Sequence, residues 1–301
     1  MKNIFYTLRK GFCIITFKIW QFLGFHLSPN HFYEPIPDTR TLDNNLWNKP
    51  SSLPGLNLNI ETQLAFLINI TKHFKHEYSQ LPLNKTHSPY TFYINNKAFE
   101  GVDAEVLYSF IRTYKPSKIF EIGSGFSTLL SAKALLKNKE ESGKEGELIS
   151  FEPFPNKYLQ NGFPGLTRLE KKKIEEIPLK IFEQLGENDI LFIDSSHVLR
   201  IGNDVYYEYL EILPRLNKGV LVHIHDIFLP YEYPKKWVKS LHRFWTEQYL
   251  LQAFLAFNSK YEILWAGSYI HSYYPERLRD AFPSYQSQER LPGSFWIRKI
   301  N

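Results

Sequence analysis

The sequence contains almost no cysteine, since Cys13 stands alone among 301 residues. A single thiol excludes an intramolecular disulfide bond and a metal site built from several thiolates. A reducing, cytoplasmic setting is therefore the default expectation for this chain.

The sequence also lacks a large excess of charge of one sign. Its 36 Lys and Arg residues stand against 31 Asp and Glu residues, which leaves a formal net charge of +5. The densest basic run, residues 171–173, is followed closely by Glu175 and Glu176. Because a nucleic-acid-binding protein usually concentrates its cations on one face, nucleic acid is not expected as a partner. Hydrophobic residues make up 43% of the chain, which excludes a disordered protein and allows a sizeable core.

Aromatic residues, by contrast, are abundant and account for 16% of the chain. Such an excess is typical of an aromatic core, a ring-lined pocket or a surface that contacts a membrane. The rings are concentrated in residues 5–25, in the core-like apolar runs and in residues 228–254. All three explanations therefore apply to different parts of the sequence.

Residues 1–27 are apolar with scattered cations. Between residues 11 and 27 only Lys18 carries a full charge, and this length is at the lower limit for a membrane-spanning helix. No cleavage pattern of small residues follows, so a secretory signal peptide is not expected. Three interpretations stay open here: a helix that packs on the protein's own core or in a homo-oligomer, an interfacial membrane helix, or a short anchor.

Residues 28–117 predict an irregular and helical N-terminal extension. Pro29, Pro35 and Pro37 exclude a helix in the first part of this segment. Apolar residues at helical spacing predict helices over Ile60–Tyr78 and residues 102–114.

From residue 118 onward, short apolar runs alternate with helical segments. The runs are residues 118–122, 148–151, 166–169, 190–194, 220–224, 261–266 and 294–299. This alternation is typical of an α/β fold with an open, mostly parallel sheet and helices on both faces. The charged stretch 137–147 is predicted to be a linker, and residues 237–257 are predicted to form one helix.

The first apolar run leads into a Gly-x-Gly turn and then into a helix. Gly123 and Gly125 allow a tight turn and the close approach of a ligand to the backbone. A dinucleotide-binding fingerprint would need a third glycine where Thr128 stands. Glu121, two residues before the turn, could hold an ammonium group directly or through water. The motif therefore favours S-adenosylmethionine (SAM) over a nicotinamide dinucleotide.

The second apolar run ends in Glu152. In nucleotide-binding α/β folds an acid at the end of the second strand accepts hydrogen bonds from ribose hydroxyls. Glu152 is therefore predicted to bind a ribose, and the alternative is an acid on the surface at the end of a strand.

The fourth and fifth runs end in Asp194 with His197 and in His225-Asp226. Ligands of open parallel sheets bind outside the carboxyl ends of the strands, so these four side chains are expected to share one small volume. Two chemistries suit them. Asp194 and Asp226 could hold Mg²⁺, or His197 or His225 could act as a general base oriented by an aspartate. His223, which lies deeper in its strand, is interpreted as a core residue.

In this order, these residues resemble a class I SAM-dependent methyltransferase. The Asp194-x-x-His197 and His225-Asp226 pattern is most similar to the bacterial family 24 methyltransferase domain. The resemblance covers residues 118–299. It implies a Rossmann-like domain at residues 118–301 whose seven-stranded sheet has an antiparallel last strand. It further implies contacts with SAM at Glu121, Gly123, Ser124, Gly125, Glu152 and Asp194.

The resemblance also implies a reaction. The expected function is methyl transfer to a hydroxyl, or an amine, of a small-molecule, sugar or lipid-linked acceptor, with His197, His225 and Asp226 as candidate catalytic residues. In related metal-dependent enzymes an acid pair after the fifth strand helps to hold the metal, whereas the pair here reads His225-Asp226. An insertion at residues 227–260 and the segment 29–38 are predicted to form the acceptor pocket. The rival hypotheses are a non-catalytic nucleotide-binding or membrane-associated scaffold and an NAD-dependent oxidoreductase.

Overall fold

A mixed sheet of seven strands lies at the centre of the computed structural model, which describes residues 2–285 and 291–301. Its strands are β1 (Lys118–Ile122), β2 (Glu147–Phe151), β3 (Arg168–Glu170), β4 (Ile190–Ile193), β5 (Leu221–Ile224), β6 (Tyr261–Ala266) and β7 (Phe295–Lys299). The strand order is β3-β2-β1-β4-β5-β7-β6. β7 pairs antiparallel with both β5 and β6, while the pairs among β1 to β5 are parallel. The predicted seven-stranded sheet with an antiparallel last strand is thereby confirmed.

Alternate side chains of the strands enter two separate hydrophobic layers. Ile119 and Phe192 belong to the layer that contains helix 103–114, whereas Phe120 and Leu191 belong to the layer that contains residues 205–216. Successive side chains of a strand point to opposite faces, so a strand that is apolar throughout must be covered on both sides. The continuous apolar runs of the sequence follow from this double burial.

Helices account for much of the remaining chain. They are α1 (Lys2–Phe22), α2 (Ile60–Tyr78), α3 (Asp103–Tyr114), α4 (Phe126–Ser142), α5 (Lys157–Gln160), α6 (Asp204–Tyr207), α7 (Leu213–Arg215), α8 (Lys235–Lys239), α9 (Glu247–Leu255), α10 (Gly267–Tyr273) and α11 (Pro275–Ala281). A π-helical segment, Glu208–Ile212, joins α6 to α7, and 3₁₀ turns occupy Asn44–Trp47, Ile174–Glu176 and Leu179–Gln184.

Two predicted boundaries were wrong. The segment 237–257 is not one helix but two, α8 and α9, with non-helical backbone over residues 240–246. α9 begins where the N–H groups of Thr246 and Glu247 donate to the carbonyl oxygen of His197. A partner far away in the sequence therefore sets the start of this helix.

The charged stretch 137–147 is helical as far as Ser142, where Gly143, with a φ of +70°, ends α4.

The chain divides into two compact units, one formed by residues 1–49 with 234–244 and the other by residues 50–233 with 245–301. In the first unit, the Nζ group of Lys239 donates to the carbonyl oxygens of Thr39 and Leu42. These hydrogen bonds connect α8 to residues 39–42. The predicted domain boundaries near residues 27 and 117 stay predictions. In the described residues, no helix combines the length and the apolar character that crossing a membrane requires.

The topology locates the place where a ligand is expected. β1 lies between β2 and β4, so the connections from β1 and β4 leave the sheet in opposite directions. In open α/β sheets a crevice forms at such a switch point, outside the carboxyl ends of the strands. The turn after β1, Glu152 after β2 and Asp194 after β4 all lie at this edge.

Candidate active site

Backbone hydrogen bonds hold the carboxyl ends of β1, β2 and β4 together. The N–H of Gly123 donates to the carbonyl oxygen of Phe151, and the N–H of Asp194 donates to that of Ile122, each at 3.0 Å. Gly123 has a φ of +92°, and a Cβ atom there would lie 2.3 Å from the carbonyl oxygen of Asp194. Gly123 is therefore required by the packing of the turn itself, whether or not a ligand is bound.

The second glycine of the turn has a different environment. A Cβ atom on Gly125 would meet nothing within 4 Å, and the N–H of Gly125 donates to the Oγ1 of Thr128 in the first turn of α4. The Oγ of Ser124 is buried, with no hydrogen-bond partner among the described residues. Open space above a glycine beside an unsatisfied hydroxyl fits the close approach of a polar ligand to this turn.

Glu121 lies beneath the turn and is buried. Its two carboxylate oxygens accept hydrogen bonds from the hydroxyls of Ser127, at 2.7 Å, and Ser150, at 2.6 Å. Burial raises the pKa of Glu121 to about 7, although these hydrogen bonds oppose the shift. In this structure the carboxyl thus connects α4 to β2. The predicted contact of Glu121 with SAM stays a prediction.

A cavity of about 590 Å³ lies against the ends of β1, β2 and β4. Its lining residues include three that the sequence predicts to bind SAM, namely Gly123, Glu152 and Asp194. Glu121, Ser124 and Gly125 are not among the lining residues that the structure describes. One oxygen of Glu152 accepts a hydrogen bond from the N–H of Phe154, which fixes the carboxylate at the cavity wall.

Beyond Asp194, the imidazole of His197 lies between three carboxylates. Its Nε2 atom is 3.3 Å from an oxygen of Asp194 and 3.6 Å from an oxygen of Asp226, and its Nδ1 atom is 2.8 Å from an oxygen of Glu247. His197 and Asp226 have positive φ angles of 60° and 56°, which turn the backbone sharply after β4 and β5. The structure therefore brings together the four residues predicted at these strand ends, because His225 also lies beside Asp226.

Glu247 is the member of this cluster that the sequence analysis missed. It is fully buried at the first position of α9, 50 residues after His197. The hydroxyl of Tyr209 donates to its second oxygen at 3.1 Å. An acid at the start of a helix is common, and no local pattern marked this one as part of a site.

Within this cluster, the pKa values of the two aspartates are shifted in opposite directions. Burial disfavours the imidazolium of His197, but its hydrogen bonds to Asp194 and Glu247 outweigh burial and raise its pKa well above the usual range. Burial also opposes ionisation of Asp194, yet the charges of His225 and His197 lower its pKa to about 2. Burial raises the pKa of Asp226, and the two histidines offset this only in part. Asp226 is therefore the carboxylate better able to accept a proton.

His225 lies on the inner side of the cluster. Its ring packs against Phe99 at 5.0 Å and against His223 at 5.6 Å between centroids, and its Nε2 atom is 3.8 Å from Asp226. His223 is fully buried and stacks on Phe192 at 4.1 Å, as expected for a core residue. Burial lowers the pKa of His223 well below the usual range, so that its ring stays neutral.

Three side chains near Asp194 and Asp226 offer donor atoms that a metal ion could use. One atom each from Asp194, His197 and Asp226 lie within 4.8 Å of one another. Mg²⁺ prefers an octahedron of oxygen ligands, whereas this set offers two carboxylates and one imidazole that already hydrogen-bonds to acids on both sides. The set therefore does not fit Mg²⁺, which was one of the two chemistries that the sequence left open.

The burial of Glu121 generates a prediction about stability. Its pKa is about 7 in the folded chain against 4.5 ordinarily, so the folded state binds more protons between these pH values. The free energy of unfolding should therefore fall as pH rises through this window, by on the order of 3 kcal/mol. In Glu121→Gln this contribution should disappear. Urea denaturation should therefore show that the free energy of unfolding of the variant rises relative to that of the wild type between pH 5 and pH 7.5. The exposed control Glu140→Gln should show no such gain. A pH-independent difference for Glu121→Gln would contradict the assignment.

Part of the chain matches a known family of protein domains. A family model described as a methyltransferase domain matches residues 120–227. An uncharacterised protein of Archaeoglobus fulgidus is 33% identical over 199 residues, which is 62% of this chain and 88% of that protein. The plantazolicin methyltransferase BpumL in complex with SAH is 12% identical, with a TM-score of 0.32 over 81% of this chain and 96% of that one.

The residues matched by the domain model run from β1 to just beyond β5 and include the glycine turn, Glu152, Asp194 and His197. The sheet has the seven strands and the antiparallel last strand that the sequence resemblance implied. The chain belongs to the class I SAM-dependent methyltransferases and carries a family 24 methyltransferase domain.

Proposed function

We propose that this enzyme methylates a hydroxyl group of a small-molecule, sugar or lipid-linked acceptor, with protein side chains as the base. The observation that carries the proposal is the position of Asp194. This residue lines the cavity at the switch point and also contacts the imidazole of His197. A cofactor in the cavity would therefore lie next to a cluster of groups that can move a proton.

The residues around the glycine turn fit SAM, which supplies an electrophilic methyl group on a sulfonium when bound. Gly125 leaves room for the ligand, and Ser124 offers an unsatisfied hydroxyl. Glu152 lies at the end of β2, where a carboxylate accepts hydrogen bonds from ribose hydroxyls. The carboxylate of Asp194, with its low pKa, stays ionised and favours a cationic ligand nearby.

A hydroxyl acceptor must lose its proton as the new bond to carbon forms. Asp226 is suited to accept this proton because its pKa is raised and its carboxylate is only partly buried. His197 contacts Asp226 and is itself held by Glu247, so the pair Glu247–His197 orients the base. Positioning of this kind contributes strongly to group transfer in enzymes.

Two rings of the insertion that are at least partly exposed, Trp245 and Tyr249, support an acceptor with a ring, and the buried Tyr233 packs between them. The ring of Trp245 lies 4.3 Å from that of His197, and Tyr233 packs edge-on against Trp245 at 5.9 Å. Tyr249, which packs against Tyr233 at 6.0 Å, is partly exposed. Aromatic faces provide large apolar contact area with a polar handle at the tip. The predicted contribution of residues 29–38 to the acceptor pocket stays a prediction.

The two glycines of the turn should respond differently to substitution. Gly125→Val places its side chain in open space, so we expect near-normal stability and a loss of affinity for S-adenosylhomocysteine of at least about tenfold, measured by calorimetry. Gly123→Ala should instead destabilise the fold by roughly 2 kcal/mol or more, because its Cβ meets the backbone of Asp194. Wild-type affinity in a folded Gly125→Val variant would overturn the placement of the cofactor.

Removal of the base should affect turnover more than cofactor binding. For Asp226→Asn we expect kcat to fall by about 10²-fold or more, while the affinity for S-adenosylhomocysteine stays within about threefold. Glu247→Gln should lower kcat by about tenfold and shift its pH profile, because it alters the proton affinity of His197. The measurement is formation of S-adenosylhomocysteine over a panel of hydroxylated compounds, with the exposed Asp280→Asn as control. Unchanged kcat in Asp226→Asn would exclude this base.

Turnover should also persist in the presence of a chelator, since the donor set around His197 does not fit Mg²⁺. The same assay is run with ethylenediaminetetraacetate and then with Mg²⁺ or Mn²⁺ added back. Activity that disappears with the chelator and returns with either ion would assign Asp194 and Asp226 to a metal instead.

A further inference from the structure

An uncovered apolar face runs along helix α1. Six large side chains point to one side of it at intervals of three and four residues: Phe5, Leu8, Phe12, Ile15, Ile19 and Phe22. Their exposed fractions range from 55% to 89%. A helix that repeats apolar residues in this way has one face that must be buried against something apolar. We call these six residues the apolar face.

The other side of α1 already has contacts within its own unit. The ring of Tyr6 stacks on that of His31 with 3.8 Å between centroids, and the indole N–H of Trp20 donates to Thr16. Tyr6, Cys13 and Trp20 are half-buried. These half-buried residues therefore lie on one side of the helix, and the apolar face lies on the side opposite to them.

Positive charges flank the apolar face. Lys2, Arg9, Lys10 and Lys18 give α1 four cations, and the first acidic residue of the chain is Glu34. At about 100° per residue, Lys18 lies about 40° beyond one edge of the apolar face and Arg9 about 40° beyond the other. Long basic side chains at such edges keep their stems on apolar surface and their charges in the polar layer.

We propose that α1 binds flat on a bilayer that contains anionic lipids, with the apolar face among the acyl chains and the cations at the headgroups. An apolar face bordered by Lys and Arg is the pattern of an interfacial helix. The cations add attraction to an anionic surface that falls with salt. Binding of α1 to the bilayer does not depend on the acceptor of the proposed reaction, whether or not that acceptor is itself in the membrane.

A second copy of the chain is the competing occupant, because intervals of three and four also suit a coiled coil. Coiled coils usually pair opposite charges across the positions beside the seam. Here those positions include Arg9 and Lys18, and α1 contains no acid to pair with them. Two helices packed through the apolar face would bring Arg9 and Lys18 of both copies together, so the charge pattern favours an anionic lipid surface.

The test is co-sedimentation of the full chain with vesicles of phosphatidylcholine, alone or mixed with phosphatidylglycerol. We expect at least about tenfold stronger binding to the anionic vesicles, reduced by added salt. Ile15→Glu, which places a charge in the middle of the apolar face, should weaken binding by at least about tenfold. The matched control is Ile14→Glu, adjacent in sequence and 65% exposed against 83% for Ile15, but outside the apolar face. It should weaken binding by no more than about threefold.

Thermal unfolding and affinity for S-adenosylhomocysteine should be the same in both variants, which separates loss of lipid binding from loss of folding. Equal weakening by Ile14→Glu and Ile15→Glu would overturn the proposal, as would absence of binding to anionic vesicles. A dimer in sedimentation velocity that dissociates in Ile15→Glu, without any effect of lipid, would assign the apolar face to a second copy instead.

Discussion

The imidazole of His197, held between the carboxylates of Asp194, Asp226 and Glu247, is the interaction on which the candidate active site depends. Buried charges are costly unless each is paired and hydrogen-bonded. This requirement joins the loop after β4, the loop after β5 and the start of α9, because the carbonyl oxygen of His197 also accepts hydrogen bonds from the first N–H groups of α9. One side chain and its backbone carbonyl thus hold the start of α9 at the edge of the sheet.

In the proposed function, the same cluster lies between the cofactor and the acceptor hydroxyl. Asp194 contacts His197 on one side and the cavity beside Glu152 on the other. The environment gives the two aspartates opposite shifts, because the pKa of Asp194 is lowered and that of Asp226 is raised. Pairs of titratable groups whose proton affinities are driven apart are typical of sites that both bind charge and move protons.

Much of this could be predicted from the sequence, for a physical reason. Parallel strands bring their carboxyl ends to one edge, so Gly123 and Glu152 could be placed at one site from the alternation of strands and helices, and the family resemblance added Asp194. Glu247 could not, because it reaches His197 through tertiary packing of a helix whose start depends on His197 itself. The surroundings of Glu121 were also beyond local pattern, since Ser127 and Ser150 come from different elements. The sequence showed that residues 1–27 are apolar with scattered cations, but it did not show which side chains of α1 are exposed.

The most direct test of the central claim is a crystal structure of the chain with S-adenosylhomocysteine bound. We expect the ligand in the cavity lined by Gly123, Glu152 and Asp194. Its ribose hydroxyls should bind Glu152, and its sulfur should point towards Asp226 and His197. A ligand in another cavity, or one whose sulfur points away from the His197 cluster, would contradict it.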